Sequence, residues 1–287
     1  MTQTVGGQAI IEGVMMKSSS KIAMSVRTPK NKIISKVKNY KPISKKYKTL
    51  NLPILRGNVN LIEMMIEGIQ ALNFSSNIAL EKNTEDSNNL QIFITLILSV
   101  SLALIIFKLV PLGIAQLFSF YSSYINNVLA FNAIEGLTKI GLFVGYIFSI
   151  SLMADVKRLF QYHGAEHKTV NCYESGKELT IENAQKFTTI HPRCGTSFII
   201  LVLFISILVY AFIPTDFSFL TKYGLRLSLL PLIIGSSFEI IRISPKYQKN
   251  KLFKILITPG LWIQKLTTKE PTDDQVEVAI HSLKQTL

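Results

Sequence analysis

Histidines and cysteines gather in one short stretch of the chain. Three of the four histidines and both cysteines lie within 32 positions: His163, His167, Cys172, His191 and Cys194. Imidazole nitrogens and thiolates are the ligands that zinc prefers in proteins. The clustering therefore predicts a divalent metal site, for which zinc suits the donor set best. A purely structural group of histidines is the alternative, and Cys172 is more typical of a small buried side chain than of a ligand.

The segment His163–His167 reads H-x-x-E-H, the inverted spacing of the zinc-peptidase motif. Residues four apart on a helix lie one turn apart on the same face, so both histidines could bind one ion with Glu166 beside it. A metal ion activates water for attack on a carbonyl, and a neighbouring carboxylate can accept the proton that the water releases. Glu166 is therefore the predicted general base. Against this, Gly164 weakens the helix that the motif requires.

Two histidines alone would hold a metal ion loosely, and several residues are candidates for the third ligand. Glu174 follows His167 by seven positions in the same loop. His191 and Cys194 have H-x-x-C spacing, which suits a metal site, although the same segment could simply form the turn that enters a helix. Glu239, near the end of a predicted apolar helix, is a reserve candidate. The sequence leaves this choice open.

The composition is that of a membrane protein. Of 287 residues, 48% are apolar and only 17% are charged, against about 25% charged in ordinary soluble domains. Disorder and a disulfide scaffold are excluded by this apolar content and by the two cysteines. Since about 20 apolar residues cross a bilayer as a helix, four spans are predicted: Leu90–Ile114, Leu137–Asp155, Gly195–Ile213 and Leu225–Ile243.

The net charge of +13 is concentrated at the ends of the chain. No acidic residue lies between Glu12 and Glu63, and basic residues also follow the last span. Basic flanks stay in the cytoplasm, which predicts two cytoplasmic termini, four passes and a cytoplasmic loop over residues 156–196. The expected partners are a bilayer with anionic headgroups and a membrane or cytoplasmic protein. Nucleic acid is disfavoured, because no aromatic residues interleave the lysines.

The chain divides into four predicted regions. Residues 1–57 form a basic cytoplasmic region with a small β-hairpin, Lys21–Arg27 and Lys32–Lys38, around a turn at Pro29. Asn58–Glu81 is an amphipathic helix that either lies at the membrane interface or lines a protein interior. Residues 90–243 form the four-span membrane domain. Residues 244–287 form a cytoplasmic tail, with an interfacial anchor at Pro259–Trp262 and a short surface helix at Pro271–Leu287.

Several blocks of the sequence resemble one family. They are Gly6–Met16, Leu55–Gly57, His163–Lys168, His191–Thr196, Pro259–Trp262 and Thr267–Pro271. In this order they resemble the YqhQ-like family of uncharacterised bacterial membrane proteins, over nearly the whole chain. The resemblance implies a metal-dependent enzyme of the bacterial cytoplasmic membrane and assigns no substrate.

Two classes of function fit these observations. The first is a membrane-embedded metal-dependent hydrolase, of which a peptidase is one form, with Glu166 as base. The second is a non-catalytic membrane protein: a metal-stabilised scaffold, a metal sensor or a transporter. A structural zinc site is closed by four protein ligands, whereas a catalytic site keeps one position open. The number of ligands therefore distinguishes the two.

Overall fold

The computed structural model describes residues 3–81, 89–121, 127–247 and 250–287. The chain begins with a four-stranded antiparallel sheet in the order β1-β2-β3-β4. Its strands are β1 Gly6–Ile10, β2 Gly13–Lys17, β3 Lys21–Arg27 and β4 Ile33–Asn39. The described helices are α1 Ile43–Lys46, α2 Leu55–Ala79, α3 Asn89–Leu104, α4 Val110–Tyr121, α5 Val128–Ser151, α6 Ala154–Glu174, α7 Ile181–Gln185, α8 Gly195–Tyr210, α9 Phe219–Ser228, α10 Leu230–Tyr247, α11 Lys251–Thr267 and α12 Asp273–Thr286.

The predicted hairpin is confirmed as β3 and β4, which pair with Arg27 opposite Ile33. A second hairpin, formed by β1 and β2, precedes it and is not predicted by the sequence pattern. Its two-residue turn, Ile11-Glu12, contains none of the glycine or asparagine residues that signal such turns. Glu12 instead adopts a left-handed φ of 52°, and its carboxylate is held by Arg158 and, at 3.2 Å, by the Tyr162 hydroxyl of α6.

Three described helical stretches are long and apolar enough to cross a membrane: Phe93–Tyr121, Val128–Ser151 and Phe219–Ser244. Gly195–Tyr210 is apolar but shorter. These helices are compatible with insertion into a bilayer. The first continues through a π-helical turn, Ile105–Leu109, that joins α3 to α4, so it extends past the predicted end at Ile114 and reaches Tyr121.

The second apolar helix begins nine residues earlier than predicted. The Asn127 side chain caps it by accepting a hydrogen bond from the Leu129 N–H at 2.8 Å. Glu135 lies inside this helix, where Lys139 on the next turn pairs with its carboxylate at 2.5 Å. The helix stops at Ser151, and Asp155 belongs to the first turn of α6.

Charged side chains are buried between the apolar helices. The Glu135 carboxylate receives Lys139 from its own helix and the Arg226 guanidinium of α9, with Arg226 Nη2 at 2.6 Å. All three side chains are at most 2% exposed. The Lys108 ammonium, placed by the π-helical turn, donates to the Tyr210 hydroxyl at 3.0 Å. This network ties α5, α8 and α9 to the first apolar helix.

The sheet is packed between helices on both faces. On one face, Val14 and Met16 contact Ala165 of α6 together with Val276 and Leu283 of α12. On the other face, Ile10, Met15, Ile22, Met24 and Val26 contact Ala71 and Ile78 of α2. The regions predicted as an N-terminal segment, a loop and a tail therefore form one packed unit.

The C-terminal helix is not the surface helix that was expected. α12 begins at Asp273 after a capping box between Thr272 and Gln275, and Asp273 and Asp274 occupy its first turn as predicted. Its apolar side chains are buried against the sheet because they repeat at helical spacing and match the apolar face of β2 and β3. The helix is part of the core.

The polar stripe of α2 faces the N-terminal region. Glu63 accepts a hydrogen bond from the Ile43 N–H at 2.9 Å, and Glu67 pairs with Lys38. Of the two interpretations, the structure supports a helix that lines a protein interior. At its start, Gly57 lies so close to Gly235 of α10 that a Cβ at Gly57 would be 3.1 Å from the Gly235 Cα.

The segment Pro259–Trp262 is part of α11, with Pro259 inside the helix, and its role as an interfacial anchor stays a prediction. Trp262 is 65% exposed. Gly260 allows α11 to cross α8 closely, since a Cβ there would lie 2.8 Å from the Ser197 Cα.

Replacing Glu135 by glutamine should destabilise the protein strongly. Lys139 and Arg226 would keep their positive charges in an apolar surrounding without a carboxylate, a loss that costs about 3–5 kcal/mol for buried pairs. Thermal unfolding of the purified protein in detergent measures the effect. Glu182→Gln, which removes an exposed pair with Lys186, is the matched control. Equal midpoints for the two variants would contradict the prediction.

Candidate metal centre

The H-x-x-E-H segment lies in the middle of α6, a continuous helix that begins three residues after α5 ends. The expected weakening at Gly164 does not interrupt it. Gly164 is instead the point where the chain after α11 crosses the helix: a Cβ at Gly164 would collide with the Lys269 carbonyl oxygen. The Lys269 N–H donates to the Phe160 carbonyl at 2.9 Å on the same face. Glycine is therefore required by the crossing.

Each of the two motif histidines is held by a main-chain carbonyl. Nδ1 of His163 lies 2.8 Å from the Thr267 oxygen, and Nδ1 of His167 lies 2.5 Å from the Thr189 oxygen. A carbonyl oxygen only accepts hydrogen bonds, so the hydrogen of each neutral ring is on Nδ1. In such a ring the lone pair is on Nε2, which faces Cys194 Sγ in His163 and Glu166 Oε2 in His167. Metal-bound histidines are usually oriented in this way.

Cys194 completes a group of three possible ligands. It is the residue that precedes α8, and its Sγ lies 3.2 Å from His163 Nε2. The ligand atoms of His163, His167 and Cys194 all lie within 4.8 Å of one another. Cys194 and His167 are buried and His163 is partly buried. The structure thus brings together three of the residues that the sequence singled out.

Two other candidates pair with each other beside this group. His191 Nε2 lies 3.3 Å from Glu174 Oε2, and Arg193 binds the second oxygen of Glu174. Burial raises the pKa of Glu174, but His191 and Arg193 outweigh it and bring the pKa below its usual range.

The remaining candidates lie apart. Glu239 forms an ion pair with Arg56 at the start of α2 and lies 3.5 Å from Arg242. Cys172 is buried, and its Sγ faces the Glu178 carbonyl at 3.5 Å. Neither residue belongs to the group formed by His163, His167 and Cys194.

Glu166 lies next to the three possible ligands and is 5% exposed. Its Oε2 is 3.3 Å from His167 Nε2. Burial raises the pKa of Glu166, while His163 and His191 oppose the shift and the Gly7 N–H of β1 faces the carboxylate. Gly7 makes room for this side chain, since a Cβ there would lie 2.7 Å from Glu166 Cγ.

Sequence reasoning missed the residues that position the site. Gln264 of α11 is fully buried; it accepts from the His191 N–H at 2.9 Å and donates to the His191 carbonyl at 2.8 Å and to Ser197 Oγ at 2.6 Å. It fixes the chain that leads to Cys194. The one amide side chain of α11 was the signal available. Thr189 and Thr267 act through their carbonyls, which no side-chain pattern reveals.

A cavity of about 470 Å³ opens onto the three possible ligands and Glu166. Its wall also includes the chain from Thr4 to Gln8, parts of α2, and Phe238 and Arg242 of α10. This is the size of cavities that bind small molecules or short peptides.

Fold and site together define a class: a mostly helical protein with three helices compatible with a membrane, in which His163 and His167 of α6 and Cys194 at the start of α8 form a His-His-Cys group. The chain belongs to the family described as "Protein of unknown function (DUF1385)", whose profile matches residues 52–287. It is also similar to "Uncharacterized protein YqhQ" of Bacillus subtilis (strain 168), with 38% identity over 299 residues, 98% of this chain and 92% of the relative. No solved structure matches.

Replacing Gly164 by alanine should separate α6 from the chain after α11. The added methyl group collides with the Lys269 carbonyl, and overpacking of this kind costs about 1–3 kcal/mol or more. Thermal unfolding in detergent is the measurement. Gly145→Ala is the control, because a Cβ at Gly145 meets nothing within 4 Å. Unchanged unfolding of the Gly164 variant would show that the crossing is not tight.

Proposed function

We propose that this protein is a membrane-embedded, metal-dependent hydrolase with its site at His163, His167, Cys194 and Glu166. One observation carries the proposal: both histidines give their Nδ1 hydrogen to a main-chain carbonyl, and their rings form a group with Cys194 in which the possible ligand atoms all lie within 4.8 Å of one another. A purely structural group, in which the histidine rings hydrogen-bond only to each other, would not require this arrangement.

The donor set fits zinc. Two imidazoles and one thiolate occur in catalytic zinc sites, which keep a fourth position for water or substrate. The Glu166 carboxylate lies outside the group of three ligand atoms although Oε2 is 3.3 Å from His167 Nε2. His191 and Glu174 are engaged with each other. These placements favour three protein ligands, and hence an open site over a closed one.

A divalent ion held there supplies a Lewis acid that polarises a carbonyl and activates water. Glu166 is placed to accept the proton of the attacking water and to return it to the leaving group. The Gly7 N–H fixes the carboxylate from the sheet side. Arg193 and Glu174 hold His191 beside the site, and Gln264 holds the main chain of His191.

The proposal includes a location and a topology: four passes through the bacterial cytoplasmic membrane, both termini in the cytoplasm, and anionic lipid headgroups beside the basic sheet region. It is supported by the basic residues of the sheet region and by the three helices that are compatible with membrane insertion. Fluorescence of a green fluorescent protein fused to the C-terminus, which develops only inside the cell, tests it; a dark, exported fusion would contradict it.

A second candidate, transport, is favoured by one observation. A charged network is buried between the apolar helices, formed by Glu135, Lys139, Arg226 and Lys108. Ionisable residues inside a membrane domain often mark the pathway of a substrate or an ion. The experiments on the site distinguish this candidate from the hydrolase.

Purified wild-type protein should contain about one equivalent of zinc per chain, measured by plasma mass spectrometry. His163→Ala, His167→Ala and Cys194→Ser should lose it, because two remaining ligands bind weakly. After exchange with cobalt(II), a thiolate charge-transfer band should be present in Cys172→Ser and absent in Cys194→Ser. His281→Ala is the control and should keep the metal. Within the described residues, the His281 ring hydrogen-bonds the Ser25 and Ser35 hydroxyls and lies outside the candidate site. Wild-type protein without bound metal under these conditions would refute the site.

Glu166→Gln should keep the metal and lose hydrolysis of added peptides by about 100-fold or more, the usual loss on removing a general base. The amide keeps the shape of the carboxylate but cannot accept the proton. Loss of metal as complete as in the histidine variants would make Glu166 a ligand of a closed structural site. Retained metal with full function in cells would favour the scaffold or transport alternatives.

A further inference from the structure

The charges buried between the apolar helices do not balance. Four cationic side chains, each at most 7% exposed, surround one buried carboxylate, that of Glu135; they are Lys108, Lys139, Lys222 and Arg226. Glu135 pairs with Lys139 and Arg226. Among the described residues, no carboxylate lies within ion-pair distance of Lys108 or Lys222. This part of the protein therefore carries an excess of positive charge.

Such an excess is costly, and aromatic rings compensate only part of it. A buried charge needs a partner of opposite sign, or acceptors that replace its lost hydration. Lys108 and Lys139 both lie over the ring of Tyr210, and Lys222 lies over the ring of Phe131. The face of a ring attracts a cation but does not neutralise it. An anion would remove the remaining cost.

Two of the lysines have unused hydrogen-bond donors beside the same ring. An ammonium group has three N–H donors. Within the described chain, Lys108 donates one hydrogen bond, to the Tyr210 hydroxyl at 3.0 Å, and Lys139 donates one, to Glu135 at 2.5 Å. The two ammonium nitrogens lie 4.9 and 4.6 Å from the centroid of the Tyr210 ring. Donors without acceptors thus gather around Tyr210, away from solvent.

An irregular turn of the first apolar helix brings Lys108 to this position. Lys108 lies in the π-helical turn Ile105–Leu109 and is the buried residue of that turn. Turns of this type are rare and occur frequently at functional sites. The geometry of the turn is a second observation, separate from the charge balance, that marks this place in the helix bundle.

We infer that the helix bundle binds one halide ion, such as chloride, between the ammonium groups of Lys108 and Lys139 beside Tyr210. A monatomic anion accepts N–H hydrogen bonds from any direction. The outer oxygens of sulfate or phosphate would instead face an aromatic ring that offers them no donor. The inference goes beyond the proposed hydrolase and involves none of the residues of the candidate metal centre.

The first test is thermal unfolding of the wild-type, full-length protein in detergent. 1,10-Phenanthroline is present throughout, so that chloride cannot bind a metal ion at the candidate centre. Sodium chloride is compared with sodium gluconate at equal ionic strength. Chloride at about tenfold its dissociation constant should raise the midpoint by about 3 °C or more, because a ligand that binds only the folded state stabilises it. Bromide should act as chloride does.

Binding is also measured directly, by chlorine-35 NMR of the chloride ion. The resonance of free chloride should broaden when the wild-type protein is added, because bound and free ions exchange. Bromide should reverse the broadening by competition, whereas gluconate should not.

Two variants locate the ion. Lys108→Met removes the charge, keeps most of the side-chain volume, and should lose both the chloride-dependent shift and the broadening. Lys222→Met is the matched control, because it removes another buried lysine without a paired carboxylate, one whose ammonium donates to Gln116 and to the Thr215 carbonyl. It should keep both responses. In gluconate, Lys108→Met should unfold at the wild-type temperature or above, since it removes an uncompensated charge.

The inference is overturned if the wild-type protein shows neither a chloride-specific shift nor reversible broadening; the excess charge would then be relieved by a neutral lysine. An unchanged response in Lys108→Met, or equal loss in both variants, would also overturn it, because the ion would not lie at Lys108. If Lys108→Met does not fold, Lys108→Gln takes its place. Failure of the metal or Glu166 experiments removes the proposed hydrolase and leaves the halide site standing, and the reverse also holds.

Discussion

The site depends on how closely α6 lies against two stretches of main chain, one ending at Thr189 and one running from Thr267 to Lys269. The Lys269 carbonyl reaches α6 at Gly164, and this approach places the Thr267 and Thr189 carbonyls at hydrogen-bond distance from the two imidazoles. Because carbonyl oxygens only accept, the contact decides the tautomer of both rings. The presence of two Nε2 lone pairs within one group of possible ligands is therefore a consequence of backbone packing.

The same packing joins the three parts of the site. Gln264 on α11 bonds both main-chain groups of His191 and the Ser197 hydroxyl of α8, so that the position of Cys194 is set by the crossing of α8 and α11. The sheet contributes through Gly7, which lies against Glu166. The three possible ligands, Glu166 and β1 thus come from separate parts of the chain that one core holds together.

Burial of charge recurs in both halves of the molecule, with different partners. Between the apolar helices, Glu135 is neutralised by Lys139 and Arg226, and such pairs are costly to break on one side only. In the site, Glu166 is buried without a lysine or arginine in hydrogen-bond contact among the described residues, which raises its pKa. The first arrangement fixes the helix bundle, while the second leaves a carboxylate able to take up a proton.

The sequence by itself determined which residues are candidates for the site and where the apolar helices lie. His163, His167 and Cys194 followed from residue type and spacing, because metal ligands are few and their helical spacing is local. The β3–β4 hairpin and the interior of each apolar helix followed from periodicity. Only the tertiary structure decided that Cys194 joins the histidines while Glu174 pairs with His191 and Glu239 with Arg56, because these choices depend on contacts between distant segments. It also decided that α12 is core and that Gly164 is a crossing point, since no local pattern records what packs against a residue.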